Sequence, residues 1–241
     1  MIYVISDIHG YPFDKFLSLL NKANFNDEDY LFILGDVIDR GPDGAKYLKW
    51  LLSTPNAQLI LGNHEEMMLV CEFVFAEVTE ENISSLNTEN LTIFANWQIN
   101  GADPTLEGIR ELMKNDREII NDILDYLHDC ELWELVSVGE KDFLLTHSGL
   151  GNFRKDKKLS EYSSYDLLWN RPDISDRYFD DIITIFGHTP TEYFGEEYKG
   201  KIFITDTWID IDTGAAMGNC PTLLRLDDMK TFTLTDQDGN S

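Results

Sequence analysis

The sequence predicts an α/β (α+β) fold with a helical insertion, and three observations carry that expectation. Through the first half, apolar runs of strand length alternate with amphipathic stretches of helical period. The second half is rich in strands, and a tract over about residues 79–130 interrupts the pattern with asparagine- and glutamate-rich, helix-like sequence. No internal repeat, low-complexity tract or linker divides the chain. A single domain over 1–241 is therefore expected, with 79–130 as a cap or insertion within it.

Taken in order, Ile2–Ser6 reads as a buried strand. A turn at Gly10 ends it, and Pro12 can open a helix because an amide is not needed in the first turn; Phe13, Phe16, Leu17 and Leu20 then share one face. Leu31–Leu34 is a second apolar run, followed by a helix with Ala45, Leu48, Leu51 and Leu52 on its apolar side. Ala57–Leu61 is a third, and a helix is expected from Met67 to Val78. Within the insertion, helices are expected around Ile93–Ile99 and Ile119–Leu127. Beyond it, Glu134–Val138, Phe143–Thr146, Ile182–Phe186, Lys201–Thr205, Thr222–Leu226 and Thr231–Leu234 read as strands joined by short connections.

A chain of 241 residues, 43% of them hydrophobic, can bury a sizeable core. The formal charge of −25 argues against nucleic-acid partners and anionic membranes, whose binding depends on lysine and arginine displacing counterions. It does not argue against a phosphorylated substrate, because bound divalent cations reverse the local potential. Cys71, Cys130 and Cys220 form no CxxC and no close pair, which fits thiols in a reducing compartment. The opening residues run directly into the first polar motif without a basic leader, and no apolar run approaches the ~20 residues of a membrane span. A cytoplasmic location is expected.

The chemistry is concentrated in five short segments, each placed where an apolar run ends. They are Ser6-Asp7-Ile8-His9-Gly10, Gly35-Asp36-Val37-Ile38-Asp39-Arg40-Gly41, Gly62-Asn63-His64-Glu65, Thr146-His147-Ser148-Gly149 and Phe186-Gly187-His188-Thr189. Ligands of open α/β sheets gather at such strand ends. Any one segment alone is weak: an aspartate in a strand-end turn is commonly a cap, and Asp39-Arg40 alone suits a surface loop. Together they supply complementary donors for two cations. His128 stands outside every segment and is left out of the site.

A dinuclear centre needs a carboxylate shared between ions about 3.5–4 Å apart. Asp36 is the candidate bridge. Asp7 and His9, two apart on an extended strand end, would complete one site from a common face. Asn63, His147 and His188 would complete the other. This mixed oxygen and imidazole set suits two divalent ions, manganese ahead of iron or zinc, and no cysteine joins it. A hydroxide bridging the ions would be the nucleophile for in-line attack on phosphorus. His64 is then free to act as general acid, Asp39 to orient it, and Arg40 to grip phosphoryl oxygens; Asn63 and His64 also border the phosphate position.

In this order and spacing, the motifs resemble the phosphoprotein phosphatase branch of the calcineurin-like metallophosphoesterases. They are most similar to the small bacterial and phage phosphatases of the bacteriophage lambda type. Trp97 with Asn100-Gly101, Leu168-Trp169-Asn170-Arg171, the Thr189-Pro190 extension and Ile211-Asp212-Thr213-Gly214-Ala215 extend the likeness over nearly the whole chain. The resemblance implies a β-sandwich flanked by helices in four α-β-β-α layers, the same ligand assignment, and Arg171 as a second catalytic, phosphate-binding arginine. Ser6 replaces a usual glycine, and Asn100-Gly101-Ala102-Asp103-Pro104 departs from a glycine pair near the substrate, which bears on specificity. It further implies a phosphomonoesterase, with a phosphorylated serine or threonine protein or peptide as substrate and phosphotyrosine as an extension. The alternative is a symmetrical dinucleoside tetraphosphate hydrolase, set second because residues 79–130 carry no basic cluster for a second nucleotide. A degenerate scaffold that only binds phosphorylated partners is the non-enzymatic alternative.

Overall fold

The computed structural model describes residues 1–76, 79, 82 and 87–234. Along its first strands, apolar residues alternate in destination. Tyr3, Ile5, Leu31 and Ile33 join a helix-covered core, whereas Val4, Phe32 and Leu34 join a second core between two sheets. The period of two places successive side chains on opposite faces, so apolar runs with no polar partner position are what a doubly covered strand requires.

The first sheet has the order β10-β9-β1-β2-β3, with β1 (Ile2–Ile5), β2 (Tyr30–Leu34), β3 (Ala57–Ile60), β9 (Leu223–Arg225) and β10 (Lys230–Phe232). β1, β2 and β3 run parallel, with Val4 opposite Phe32 and Phe32 opposite Gln58; β9 and β10 are antiparallel additions. The second sheet has the order β4-β5-β6-β8-β7, with β4 (Trp133–Val138), β5 (Lys141–Thr146), β6 (Ile182–Phe186), β7 (Phe203–Ile204) and β8 (Trp208–Asp210). Here β5, β6 and β8 are parallel, while β4 and β7 pair antiparallel at the edges. Val136, Phe143, Leu145, Ile185 and Ile209 from this sheet meet Val4, Phe32, Leu34 and Ile60 from the other. This is the sandwich expected from the resemblance.

The outer face of the first sheet lies under α1 (Phe13–Lys22), α2 (Gly44–Leu51), α3 (Asn63–Val70), α4 (Thr88–Ile99), α5 (Asp103–Asn115) and α6 (Ile119–His128). The outer face of the second is covered more thinly, by the short α7 (Ser164–Leu168), 3-10 turns and aromatics including Tyr178, Phe186 and Trp208. The fourth layer is thus one short helix plus irregular chain.

Several boundaries differ from expectation. α3 begins at Asn63 because the Glu65 carboxylate accepts the Gly62 N–H at 3.1 Å, a side-chain cap that starts the helix inside the motif. It ends at Val70, and a 3-10 turn follows over Glu72–Phe75; Val78, the expected end, lies outside the described residues. Helix α5 was not expected. Its apolar face is narrow, Leu106 and Ile109 with half-buried Leu112, amid polar sequence, although Pro104 in its first turn is a usable start signal. Strand β8 was also missed, being three residues long and ending in a buried aspartate.

Cys71, Cys130 and Cys220 are free thiols. Among the described residues, no helix is long and apolar enough to cross a membrane. Leu145→Ala, at a fully buried position between the sheets, should lower unfolding free energy in urea by about 2–5 kcal/mol. Ile204→Ala, at a 60% exposed edge position, should change it by less than about 0.5 kcal/mol.

Candidate metal centre

Six parallel strands deliver their carboxyl ends to one place: Asp7 and His9 follow β1, Asp36 to Arg40 follow β2, and Asn63 and His64 follow β3. His147 follows β5, His188 follows β6 and Asp212 follows β8. The two sheets are tied together there, because His147 Nδ1 donates to Leu34 O at 2.8 Å and His188 N donates to Asp7 Oδ2 at 2.8 Å, while Gly187 N donates to His147 O at 2.8 Å within the second sheet. Gly187 is needed at this crossing, since any Cβ would collide with the Asp7 carboxylate.

The backbone of the site is strained. Asp7, His9, Asp36, Asp39, Arg40 and His188 have φ between 45° and 68°, six of the nine non-glycine residues with positive φ among those described. Each such residue costs roughly 1–3 kcal/mol and persists only when its surroundings over-determine it. The determinants are visible. His9 N donates to Asp36 O at 2.8 Å and Gly10 N to Val37 O at 2.9 Å, so the loops after β1 and β2 stay paired. The fully buried Glu65 carboxylate accepts the N–H groups of Asp36 at 2.8 Å and Val37 at 2.9 Å. Glu65 was quoted in its motif but given no role by sequence reasoning, because its burial and its place in the first turn of α3 appear only in the structure. Asp7 and His9 do not share a face of an extended strand as expected. β1 ends at Ile5, both residues are left-handed, and Ile8 is buried between them.

Two sets of buried donor atoms result, each within 4.8 Å of one another: His9, Asp36 and His64, and Asp36, His147 and His188. Asp36 belongs to both. His147 Nδ1 is committed as a donor to a carbonyl, which leaves the Nε2 lone pair facing Asn63 Oδ1 at 2.8 Å and Asp36 Oδ1 at 3.5 Å. His9 Nδ1 is likewise 3.1 Å from Ile38 O, which turns its Nε2 toward Asp36 Oδ2 at 3.5 Å. Arg40 and the His64 amide are donors to these converging acceptors, but the imidazole and carboxylate lone pairs outnumber them, and a cation would offset the remaining repulsion, so the residues present fit metal binding. Asp7 stands beside these sets rather than inside them, with its Oδ2 turned to the His188 amide.

Burial sets the protonation states. It pushes His147 down to about 3 and holds His9 and His188 well below the usual histidine range, so these rings are neutral and able to ligate. Burial, then the neighbouring aspartates, pushes Asp7 and Asp36 well above the usual carboxylate range. Cations would remove that penalty, since they favour the ionised carboxylates.

His64 is placed differently. Its Nδ1–H donates to Asp39 Oδ2 at 2.6 Å, while Nε2 faces the cluster, 3.9 Å from Asp36 Oδ2. Burial lowers the pKa of His64 and Asp39 opposes that shift. Asp39 is fully buried and also receives the Trp97 indole N–H at 2.8 Å and the Thr105 hydroxyl at 2.7 Å. Trp97 lies on α4 and Thr105 on α5, so these two helices hold the carboxylate that orients the imidazole. Thr105 was not found in the sequence; nothing local marks it.

Arg40 and Arg171 are exposed at the rim. Arg40 donates from Nη1 to His9 Nε2 at 3.0 Å and from Nη2 to His64 Nε2 at 3.1 Å, spanning the mouth of the centre. Its amide donates to Gly101 O at 2.9 Å, and a Cβ on Gly101, whose φ is 105°, would lie 2.8 Å from Arg40 Cγ. Arg171 donates to His188 O at 2.9 Å, which places it at the site rather than in a distant surface ion pair. Asp210 and Asp212, missed as site neighbours, are buried behind Asp7, and burial pushes both upward, Asp212 to about 6. His128 is remote and pairs with Glu72 at 3.0 Å.

With this geometry in view, the sequence profile of calcineurin-like phosphoesterases matches residues 1–210. The chain belongs to that family. A symmetrical bis(5'-nucleosyl)-tetraphosphatase of Buchnera aphidicola is 38% identical over 99 residues, which cover 39% of this chain and 36% of that protein. The chain therefore matches about a third of the length of such relatives. A protein of the same name from Nitrosomonas europaea is 25% identical over 269 residues, covering 95% of this chain and 96% of the relative. A crystal structure of a candidate diadenosine tetraphosphatase shares the fold, with TM-score 0.62 at 16% identity over 97% of this chain and 92% of that one.

These names overturn the expected partner. The relatives are named for nucleotide substrates, not for a phosphorylated protein or peptide. The motifs report only the metal and phosphate chemistry, which both substrate classes share. The absence of a basic cluster in residues 79–130 does not decide between the two substrate classes, because the nucleoside end of a nucleotide is uncharged and needs no lysine.

Asp36→Asn should lower the amount of manganese the protein retains, measured by elemental analysis after dialysis; undiminished occupancy would exclude Asp36 as a shared ligand. Manganese affinity of the unaltered protein should fall on acidification, and from a higher pH than for an ordinary carboxylate site. Raised carboxylate pKa values mean that protons compete with the ions earlier in the descent.

Proposed function

We propose that this protein is a metal-dependent hydrolase that cuts dinucleoside tetraphosphates symmetrically into two nucleoside diphosphates. The observation that carries the reading is the sharing of Asp36 between two buried donor sets beside an oriented imidazole. The names of the relatives direct that chemistry to a nucleotide.

His9, Asp36 and Asp7 would hold one ion, and Asn63, Asp36, His147 and His188 the other. Their oxygen and imidazole donors suit manganese, iron or zinc. Bound there, the ions would lower the pKa of water and neutralise phosphoryl charge. The remaining steps belong to the side chains. Arg40 and Arg171, on opposite sides of the opening through His9 and His188, present planar donor forks to phosphoryl oxygens. His64 Nε2 is the group aimed at the departing oxygen, and it can deliver a proton there while Asp39 holds its other nitrogen. Trp97 and Thr105 hold Asp39 so that the imidazole cannot turn away.

An anhydride leaving group is a weaker base than an alkoxide, so it depends less on proton delivery. His64→Asn should therefore slow diadenosine tetraphosphate cleavage by about 10²-fold, toward the low end of general-acid effects, and slow an alkyl phosphate ester more. Both ions should remain bound; loss of metal would instead make His64 a ligand. Chromatography of the unaltered, manganese-loaded enzyme should show ADP alone from diadenosine tetraphosphate. ATP with AMP, or no cleavage, would overturn the proposal. Arg171→Ala should raise KM about tenfold and lower kcat, as expected for the loss of a charge-assisted contact.

A further inference from the structure

The start of α3 serves the metal centre through Asn63, and helical period continues that same face through Glu66, Met67 and Val70. Opposite it, α4 presents Ile93, Asn96 and Asn100, again at helical spacing. Trp169 stands at the end between them, and together they line an open-mouthed cavity of about 340 Å³. That is within the range of small-molecule sites, which are largely apolar with a few placed polar groups. The Trp169 ring packs edge-on against His188, 6.2 Å between centroids, so the cavity begins where the metal centre ends.

We infer that this cavity seats the nucleobase of the nucleotide whose phosphates lie on the metal centre. The inference rests on the dinucleoside tetraphosphate reading and names the part of the protein that recognises the nucleoside. Three features select a base over other occupants. The walls include no lysine or arginine, and Glu66 lies among them, so a phosphate group is disfavoured. The Trp169 indole is fixed in orientation because its N–H donates to Glu66 Oε2 at 2.9 Å, which gives a rigid aromatic surface for stacking. Polar capacity remains for the edge of a base. Among the described residues, Glu66 Oε1 has no protein donor, the Asn96 side chain makes no hydrogen bond, and Asn100 uses only its Nδ2, toward Asn96 O at 2.8 Å. Carboxylate and amide oxygens can accept from an exocyclic amine, while the Asn96 amide nitrogen can donate to a ring nitrogen.

The test is calorimetric and does not depend on turnover. ADP and ribose 5-diphosphate carry the same sugar and phosphates and differ by the base. On the manganese-loaded protein, ADP should bind at least about tenfold more tightly than ribose 5-diphosphate. Trp169→Leu should shrink that ratio to below about threefold. A second variant, Val70→Met with Asn96→Met, fills the cavity from two exposed helix positions distant from the donor atoms, and it should shrink the ratio likewise. Equal affinities in the unaltered protein would overturn the inference, as would a ratio that survives in both variants. Failure of the functional reading is a separate result. A protein that prefers ADP but releases no ADP from diadenosine tetraphosphate would keep its base pocket and lose the proposed reaction.

Discussion

The structure depends on holding Asp36 in a conformation it would not adopt alone. Its φ of 56° is unfavourable for a residue with a side chain, and its carboxylate is buried among other acids and imidazoles. The N–H of Asp36 on Glu65 and its C=O on the His9 amide fix the backbone from the first turn of α3 and from the loop after β1. With Asp36 so placed, one carboxylate oxygen faces His9 and the other faces His147. The sandwich is thereby coupled to the chemistry, because the two rings come from different sheets.

The helices at 88–128 have a defined part in this arrangement. They cover the first sheet, and through Trp97 and Thr105 they complete the polar surroundings of Asp39. A fully buried carboxylate without those donors would carry a large desolvation penalty. The same helices supply one wall of the cavity beside Trp169. Orientation of the His64 imidazole is therefore built on these helices, while the buried donor sets belong to the strand ends.

Much of the site was legible because metal chemistry demands particular side chains. His9, Asp36, Asn63, His64, His147 and His188 all reach one centre, and Arg40 and Arg171 reach its rim. The missed residues have less distinctive chemistry. Glu65 works by accepting backbone amides, Thr105 contributes one hydroxyl, and Asp210 and Asp212 are ordinary acids until β8 carries them behind Asp7. Helix α5 and strand β8 escaped for a related reason: a narrow apolar face and a three-residue strand leave little periodic signal. The mistaken substrate partner came from motifs that describe phosphate chemistry and are silent about what the phosphate is attached to.

By itself, the sequence determined where the apolar runs of β1, β2 and β3 would lie, and which donor types would stand at their ends, since both follow from residue identity and period. Only the tertiary structure decided that Asp7 stands beside the donor sets while His64 enters one of them. It also decided that α3, α4 and Trp169 line a cavity next to the centre. Those outcomes depend on left-handed turns and helix packing between segments remote in the chain. Such geometry is set by the sum of many distant contacts, and no local pattern encodes it.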